Sequence, residues 1–189
     1  IGFDYKKEKL KDINRYFELK LATVLRDKEE KFIPKTTTLN KKQSNLFGTI
    51  SNSFSENFNL NYNFAIDNDL SSFEYNKISA KYSVNNFYTS FNFIEEGGEM
   101  GSSNILENTF KYTLDEKNSF SFSTRRNRKI NLTEYYDLVY QYKNDCLSAG
   151  IKYNKTYYED RDLKPNENIL FTISLFPLTT YEQKVSKWK

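Results

Sequence analysis

Residues Asn57 to Ile66 read Asn-Phe-Asn-Leu-Asn-Tyr-Asn-Phe-Ala-Ile. Phe58, Leu60, Tyr62 and Phe64 alternate with Asn59, Asn61 and Asn63. Successive side chains of a strand point to opposite faces. The segment is therefore a ribbon with one apolar face and one wet face. The same two-residue period recurs in segment after segment. Strands about ten residues long with this pattern are those of an outer-membrane β-barrel, apolar toward lipid and polar toward the lumen.

This reading assigns Phe58, Leu60, Tyr62 and Phe64 to lipid, and Asn59, Asn61 and Asn63 to the lumen. A slip of one residue would put the asparagines in hydrocarbon, where an unpaired amide is costly. A soluble β-sandwich also alternates, and stands as the bland alternative.

Composition agrees with lipid-facing strands. The mean hydropathy is −0.78, yet 17% of the residues are aromatic, with 15 Tyr and 16 Phe. No apolar run approaches the roughly 18 residues of a membrane-spanning helix. Barrels are polar on average because only half of each strand meets lipid, and aromatic girdles flank that band.

Ten candidate strands follow from the period: 16–26, 46–54, 58–66, 73–84, 87–95, 107–114, 119–126, 133–143, 146–158 and 169–177. Phe17, Leu19, Leu21, Thr23 and Leu25 align on the first, and Ile169, Phe171, Ile173 and Leu175 on the last. The tail 178–189 shows no clear period. Connections alternate between short and long. In outer-membrane barrels the short turns are periplasmic and the long loops extracellular. Both ends of the segment are then expected at the periplasmic side, with loops 27–45 and 96–106 facing out. The expected fold is all-β, an antiparallel transmembrane β-barrel of meander topology with about ten strands, spanning 1–189 as one segment. A barrel protein is secreted, and this chain opens on Ile1 without a signal peptide. A mature or excised piece is therefore expected.

The chemistry-bearing residues are sparse. Lys and Arg number 28 against 25 Asp and Glu, too balanced for a nucleic-acid face. The basic pairs Lys6–Lys7, Lys41–Lys42 and Arg125–Arg126 lie near strand ends. Histidine, the commonest general base and metal ligand, is absent. No dinucleotide, phosphate-loop or serine-hydrolase motif occurs. Glu95, Glu96 and Glu99 surround Gly97–Gly98 but lack the spacing of a calcium loop. Carboxylates at 159–162 read as solvated charge. Arg125, Arg126 and Arg128 could grip phosphates, or form an ordinary charged rim. No catalytic residue, metal or cofactor is expected. Cys146 is the single cysteine, beside the short turn Asn144-Asp145. In the oxidising periplasm it could pair with a cysteine outside this chain, or remain a free, partly buried thiol.

Residues 140–178, YQYKNDCLSAGIKYNKTYYEDRDLKPNENILFTISLFPL, add a family resemblance. The Tyr-rich strand, the Asn-Asp-Cys turn, the Glu-Asp-Arg-Asp-x-x-Pro loop and the closing Phe-Thr-Ile-Ser-Leu strand resemble the last hairpin of the lipopolysaccharide-assembly outer-membrane protein family, LptD. The resemblance implies a C-terminal portion of a larger barrel in the bacterial outer membrane, its N-terminal periplasmic jellyroll lying outside this chain. It implies a disulfide from Cys146 to that jellyroll. It implies a lateral gate at the last strand, carried by Ile169, Phe171, Ile173, Leu175 and Pro177, through which lipopolysaccharide enters the outer leaflet. Its expected partners are lipopolysaccharide, a plug lipoprotein (LptE) inside the barrel, and the periplasmic lipopolysaccharide-bridge proteins. Another porin, a lipid or fatty-acid channel, and a soluble carbohydrate-binding β-sandwich are the alternatives.

Overall fold

Alternation of apolar and polar side chains, broken by Asn- and Asp-rich turns, produces a fold that among the described residues is all β apart from one short 3-10 turn at Lys35–Thr37. The computed structural model describes residues 1–157, 166–175 and 179–186. Its strands are β1 (Gly2–Lys9), β2 (Asp12–Ala22), β3 (Leu46–Ser55), β4 (Phe58–Ile66), β5 (Phe73–Val84), β6 (Phe87–Glu96), β7 (Asn104–Thr113), β8 (Asn118–Asn127), β9 (Leu132–Lys143), β10 (Leu147–Thr156), β11 (Asn166–Leu175) and β12 (Thr179–Ser186). They lie in one antiparallel sheet in strict chain order, from β1 to β12. This is a meander, as the sequence indicated. Contacts divide the chain into two units, one of residues 1–82 with 91–105, the other of residues 83–90 with 106–189.

Short side chains that bond their own backbone set the turns. Asp67 accepts from the backbone N–H of Ser71 at 2.7 Å and Ser72 at 3.1 Å. Asp115 accepts from Lys117 and Asn118, both at 2.8 Å. Asn144 accepts from Cys146 at 3.0 Å and Leu147 at 2.7 Å. In the hairpin Asn85-Asn86, Asn85 takes the left-handed conformation (φ 48°) that such two-residue turns demand.

The structure corrects the strand inventory at both ends. Among the described residues there are twelve strands, not ten. β1 precedes the expected first strand, and β12 occupies most of the tail that showed no period. The first expected strand begins earlier, at Asp12, and ends at Ala22. Leu25 lies beyond it, in an isolated bridge with Gln43. The lateral-gate placement also changes. β11, with Ile169, Phe171, Ile173 and Leu175, pairs with β10 on one side and β12 on the other. It is therefore not a last strand, and a seam cannot lie along it. Pro177 lies outside the described residues.

The new strands sharpen the loop pattern. Connections 10–11, 56–57, 85–86, 114–117, 144–146 and 176–178 follow odd-numbered strands. Connections 23–45, 67–72, 97–103, 128–131 and 157–165 follow even-numbered ones. None of the first set exceeds the shortest of the second.

Candidate functional site: two unlike faces

Strand register assigns each side chain to a face. In the first unit, Leu60, Tyr62 and Phe64 of β4 stand beside Ala80, Ile78 and Asn76 of β5. On their other side stand Asn52, Ile50 and Gly48 of β3. Ile50 and Gly48 continue to Leu19 and Leu21 of β2, and those to Tyr5 and Phe3 of β1. Phe58 joins this face opposite Tyr82. Lys7, opposite Phe17, and Asn52 and Asn76 are polar exceptions on this face. The opposite face carries Asn59, Asn61 and Asn63 beside Ser53, Ser51 and Thr49, and beside Lys81, Ser79 and Lys77. The sequence grouping of residues 58–64 into two faces thus holds in register.

Charges on the polar face neutralise one another. Lys20 lies 3.0 Å from Glu18 and 4.0 Å from Asp4, and Lys6 lies 2.6 Å from Glu8. Thr49 donates to Asn63 at 2.9 Å.

Aromatic side chains collect toward the two ends of the apolar face. Phe58 stacks on Phe54 at 5.4 Å and meets Tyr82 edge-on at 6.4 Å. Six residues along the strand, Phe64 contacts Tyr62 at 5.3 Å and Phe73 at 6.0 Å. Leu60, Ile78 and Ala80 lie between. At a rise of about 3.4 Å per residue, the two clusters stand about 20 Å apart along the strand.

The second unit repeats the arrangement. Leu147, Ala149, Ile151 and Tyr153 of β10 stand opposite Leu175, Ile173, Phe171 and Ile169 of β11. Tyr142, Tyr140 and Leu138 of β9 continue the rows, and Phe120 and Phe122 of β8 extend them. The other face carries Ser119, Ser121 and Ser123, with Gln141 and Asp137. There Asp137 takes Lys152 at 3.0 Å and the amide of Asn154. Arg125 spans two carboxylates, Glu107 at 3.2 Å and Glu134 at 2.6 Å. Val139 and Leu170 are the apolar exceptions on this face.

One ion pair sits on the apolar side. Lys155 and Glu167, 2.8 Å apart, end the row below Tyr153 and Ile169. Lys155 also lies 5.2 Å from the ring centroid of Tyr157, and Tyr153 donates to Glu167 at 3.1 Å. The pair marks where the apolar rows stop at the long-loop end. Lys155 shares the parity of Tyr153, and the sequence reading singled out neither it nor Glu167.

Exposure inverts the order of a soluble protein. Among the described residues Ala65 is the only buried hydrophobic side chain. The other buried side chains are polar: Thr38, Ser44, Asn45, Ser51, Ser53 and Asn168. The apolar rows are open, with Ile151 at 45%, Phe171 at 43% and Ile173 at 46% exposure.

The remaining candidates fall out as separate features. Cys146 is a free thiol, exposed rather than partly buried, at the short turn after β9. Arg126 bonds Asn131, while Arg125 is engaged with carboxylates on the polar face. Glu95 accepts from Asn104 at 3.0 Å and Glu99 pairs with Lys41 at 3.0 Å. No group of three or more Asp, Glu or Cys side chains suited to a metal occurs among the described residues. Residues 159–162 lie outside them.

Two turn carboxyls are held below their ordinary range. For Asp67, partial desolvation acts upward, and the hydrogen bonds from Ser71 and Ser72 more than reverse it. For Asp115, the Asn118 amide is the chief cause, followed by the backbone N–H groups of Lys117 and Asn118.

No protein-family model matches the chain, and no curated protein matches it. No helix among the described residues is long and apolar enough to cross a membrane, which says nothing of crossing by strands.

Proposed function

We propose that this chain is a membrane-spanning part of an outer-membrane β-barrel, and that the barrel delivers lipopolysaccharide to the outer leaflet. The observation that carries the membrane reading is the inverted burial. Apolar rows are exposed in both units, while the buried side chains are almost all polar. A sandwich would cover such rows with a second layer. Contiguous exposed apolar area beyond a few hundred Å² marks a partner or a membrane. Hydrocarbon solvates these rows and places the aromatic clusters at its two margins.

The same solvent constrains the edges. Among the described residues β1 and β12 each pair on one side only. Unpaired backbone groups in hydrocarbon cost several kcal/mol each. Both outer edges are therefore paired in the membrane.

The lipopolysaccharide part rests on the resemblance of residues 140–178 to the LptD family. On that reading the barrel holds a plug lipoprotein, the periplasmic bridge feeds it, and Cys146 bonds a cysteine of the jellyroll. A lateral gate, if present, lies at a strand other than β11. The test is depletion of the full-length protein in its host, followed by outer-membrane fractionation and surface labelling of lipopolysaccharide. The expected result is fractionation with the outer membrane and loss of newly surfaced lipopolysaccharide. Outer-membrane fractionation with unchanged surface lipopolysaccharide would assign the barrel to a porin or fatty-acid channel. Recovery in a soluble fraction would overturn the membrane reading.

A further inference from the structure

Three lysines converge on one cavity at the short-turn end of the second unit: Lys111 of β7, Lys117 of connection 114–117 and Lys143 at the end of β9. The cavity is open to solvent and holds about 290 Å³. All three lysines are exposed, and all three belong to the polar face. Lys111 has the parity of Thr109, whose hydroxyl meets that of Ser123 at 3.1 Å. Lys117 has the parity of Ser119, and Lys143 that of Gln141, which stands opposite Ser119.

Elsewhere on this face of the unit, cations meet carboxylates: Arg125 lies 2.6 Å from Glu134, and Lys152 lies 3.0 Å from Asp137. Lys111, Lys117 and Lys143 form no ion pair among the described residues. Two carboxyls line the cavity, Asp115 and Glu116. Asp115 is engaged in the turn, accepting from the N–H groups of Lys117 and Asn118 and from the Asn118 amide at 2.9 Å. Glu116 lies beyond ion-pair reach of all three lysines. Three cations thus face two carboxylates, one of them already occupied.

The register makes this arrangement costly. Asn118 stands opposite Tyr142, which sets Lys117 opposite Lys143, and the Lys143 N–H donates to Lys117 O at 2.7 Å. Like charges directly opposite on a sheet repel. An anion between them turns that repulsion into attraction. The hydroxyls of Thr113 and Ser119 line the same cavity, each without a hydrogen-bond partner among the described residues. A carboxylate brings two oxygens and a single charge. A phosphate monoester brings three acceptor oxygens and a charge of about −1.5 to −2. The second matches three ammonium groups and two hydroxyls better.

We infer that this cavity binds a phosphate group, held by Lys111, Lys117 and Lys143 with Thr113 and Ser119 as hydroxyl donors. The inference rests on the barrel reading for its setting, which puts the cavity at the periplasmic mouth of the polar face. It adds a phosphate-recognising site there. A lipid headgroup, a phosphorylated sugar and free phosphate share this chemistry.

The test is calorimetric titration of the full-length protein, in an uncharged, phosphate-free detergent, with inorganic phosphate, glucose 1-phosphate and a short-chain phosphatidic acid. Binding is expected, and it should weaken as salt is raised. Lys111→Gln, Lys117→Gln and Lys143→Gln should each weaken it about tenfold, the scale of one charge-assisted hydrogen bond. Glu116→Gln should strengthen it. Lys77→Gln, on the polar face of the first unit opposite Asn63, should leave it unchanged. Without phosphate, Lys117→Gln and Lys143→Gln should raise the urea midpoint, since each removes one member of the like-charged pair. The tightest of the three probes assigns the site to a lipid headgroup, a phosphorylated sugar or the free ion. Absence of binding, or equal weakening by Lys77→Gln, would overturn the site while leaving the barrel reading intact. Recovery of the protein from a soluble fraction with binding retained would overturn the barrel reading and keep the site.

Discussion

The ring of Phe64 lies across Gly48 on the neighbouring strand, filling the space that a Cβ at position 48 would occupy. Glycine weakens a strand because it has no side chain to pack. Here the aromatic ring covers the bare backbone of the facing residue, a pairing used to restore such positions. Gly48→Ala drives a methyl group into the ring and forces Phe64 to swing away. The expected cost is about 1–2 kcal/mol, as for overpacking elsewhere. Phe64→Leu, with a smaller side chain, should recover part of that loss when combined with Gly48→Ala. Urea unfolding of the lipid-reconstituted protein for both single variants and the pair measures the coupling. Strict additivity would show that the ring does not depend on the glycine.

Arg125 holds Glu107 and Glu134 together from adjacent strands of the polar face. All three side chains are about one-third exposed, so solvent screens the interaction. Arg125→Ala leaves two carboxylates without their shared cation, and the expected loss is about 1 kcal/mol. Arg125→Lys keeps the charge but not the fork, and should recover only part. A loss that vanishes in high salt for the wild type, measured by denaturation, confirms an ion-pair origin. Equal stability of all three proteins would refute it.

The turn after β7 depends on the ionised carboxyl of Asp115. Its pKa is lowered from the ordinary 3.8, chiefly by the Asn118 amide. A depressed carboxyl contributes stability that is present above the unfolded pKa and lost as pH falls through the folded one. Amide-exchange protection at Lys117 and Asn118 should therefore persist at pH 5 and collapse only below 3.8. Asp115→Asn, which cannot ionise, should show weaker protection that is flat with pH. Protection that fades between pH 6 and 4 would contradict the assignment.

Cys146 is exposed at a short turn, with its N–H bound to Asn144. Under the barrel reading that turn is periplasmic. In the full-length protein the thiol should resist alkylation until reductant is added, and the mobility of the unreduced protein on gels should change with Cys146→Ser. Ready alkylation without reductant would remove the interdomain disulfide and leave Cys146 a solvent-exposed turn residue.

Where side chains alternate cleanly, the sequence announces the strand. β4 and β5 were legible almost residue by residue, because a polar Asn, Lys or Ser separates nearly all of the apolar positions. β1 and β12 were not. In β1, Asp4, Lys6, Lys7, Glu8 and Lys9 outnumber Phe3 and Tyr5, and a single-strand reading sees a charged segment. Its strand character depends on partners distant in sequence, such as Lys20 for Asp4. In β12 only Tyr181 and Val185 are apolar, and the register with β11 supplies the rest. That omission made β11 look terminal and misplaced the gate. The tie between Asn45 and Glu74 was hidden for a similar reason. The amide of Asn45 and the carboxylate of Glu74 meet across 29 residues, and nothing local to either marks them as a pair.

The central claim is that the apolar face meets lipid and the polar face meets water. Single cysteines placed at Leu60, Ile78 and Ile151, and at Asn61, Ser79 and Lys152, in a Cys146→Ser background test it directly. Each carries a fluorophore, and quenching is measured with brominated acyl chains and with aqueous iodide after reconstitution in bilayers. The account expects the first three probes to be quenched by the lipid and shielded from iodide, and the last three to show the reverse. Iodide quenching of all six probes, with none from the brominated chains, would contradict a membrane-spanning barrel.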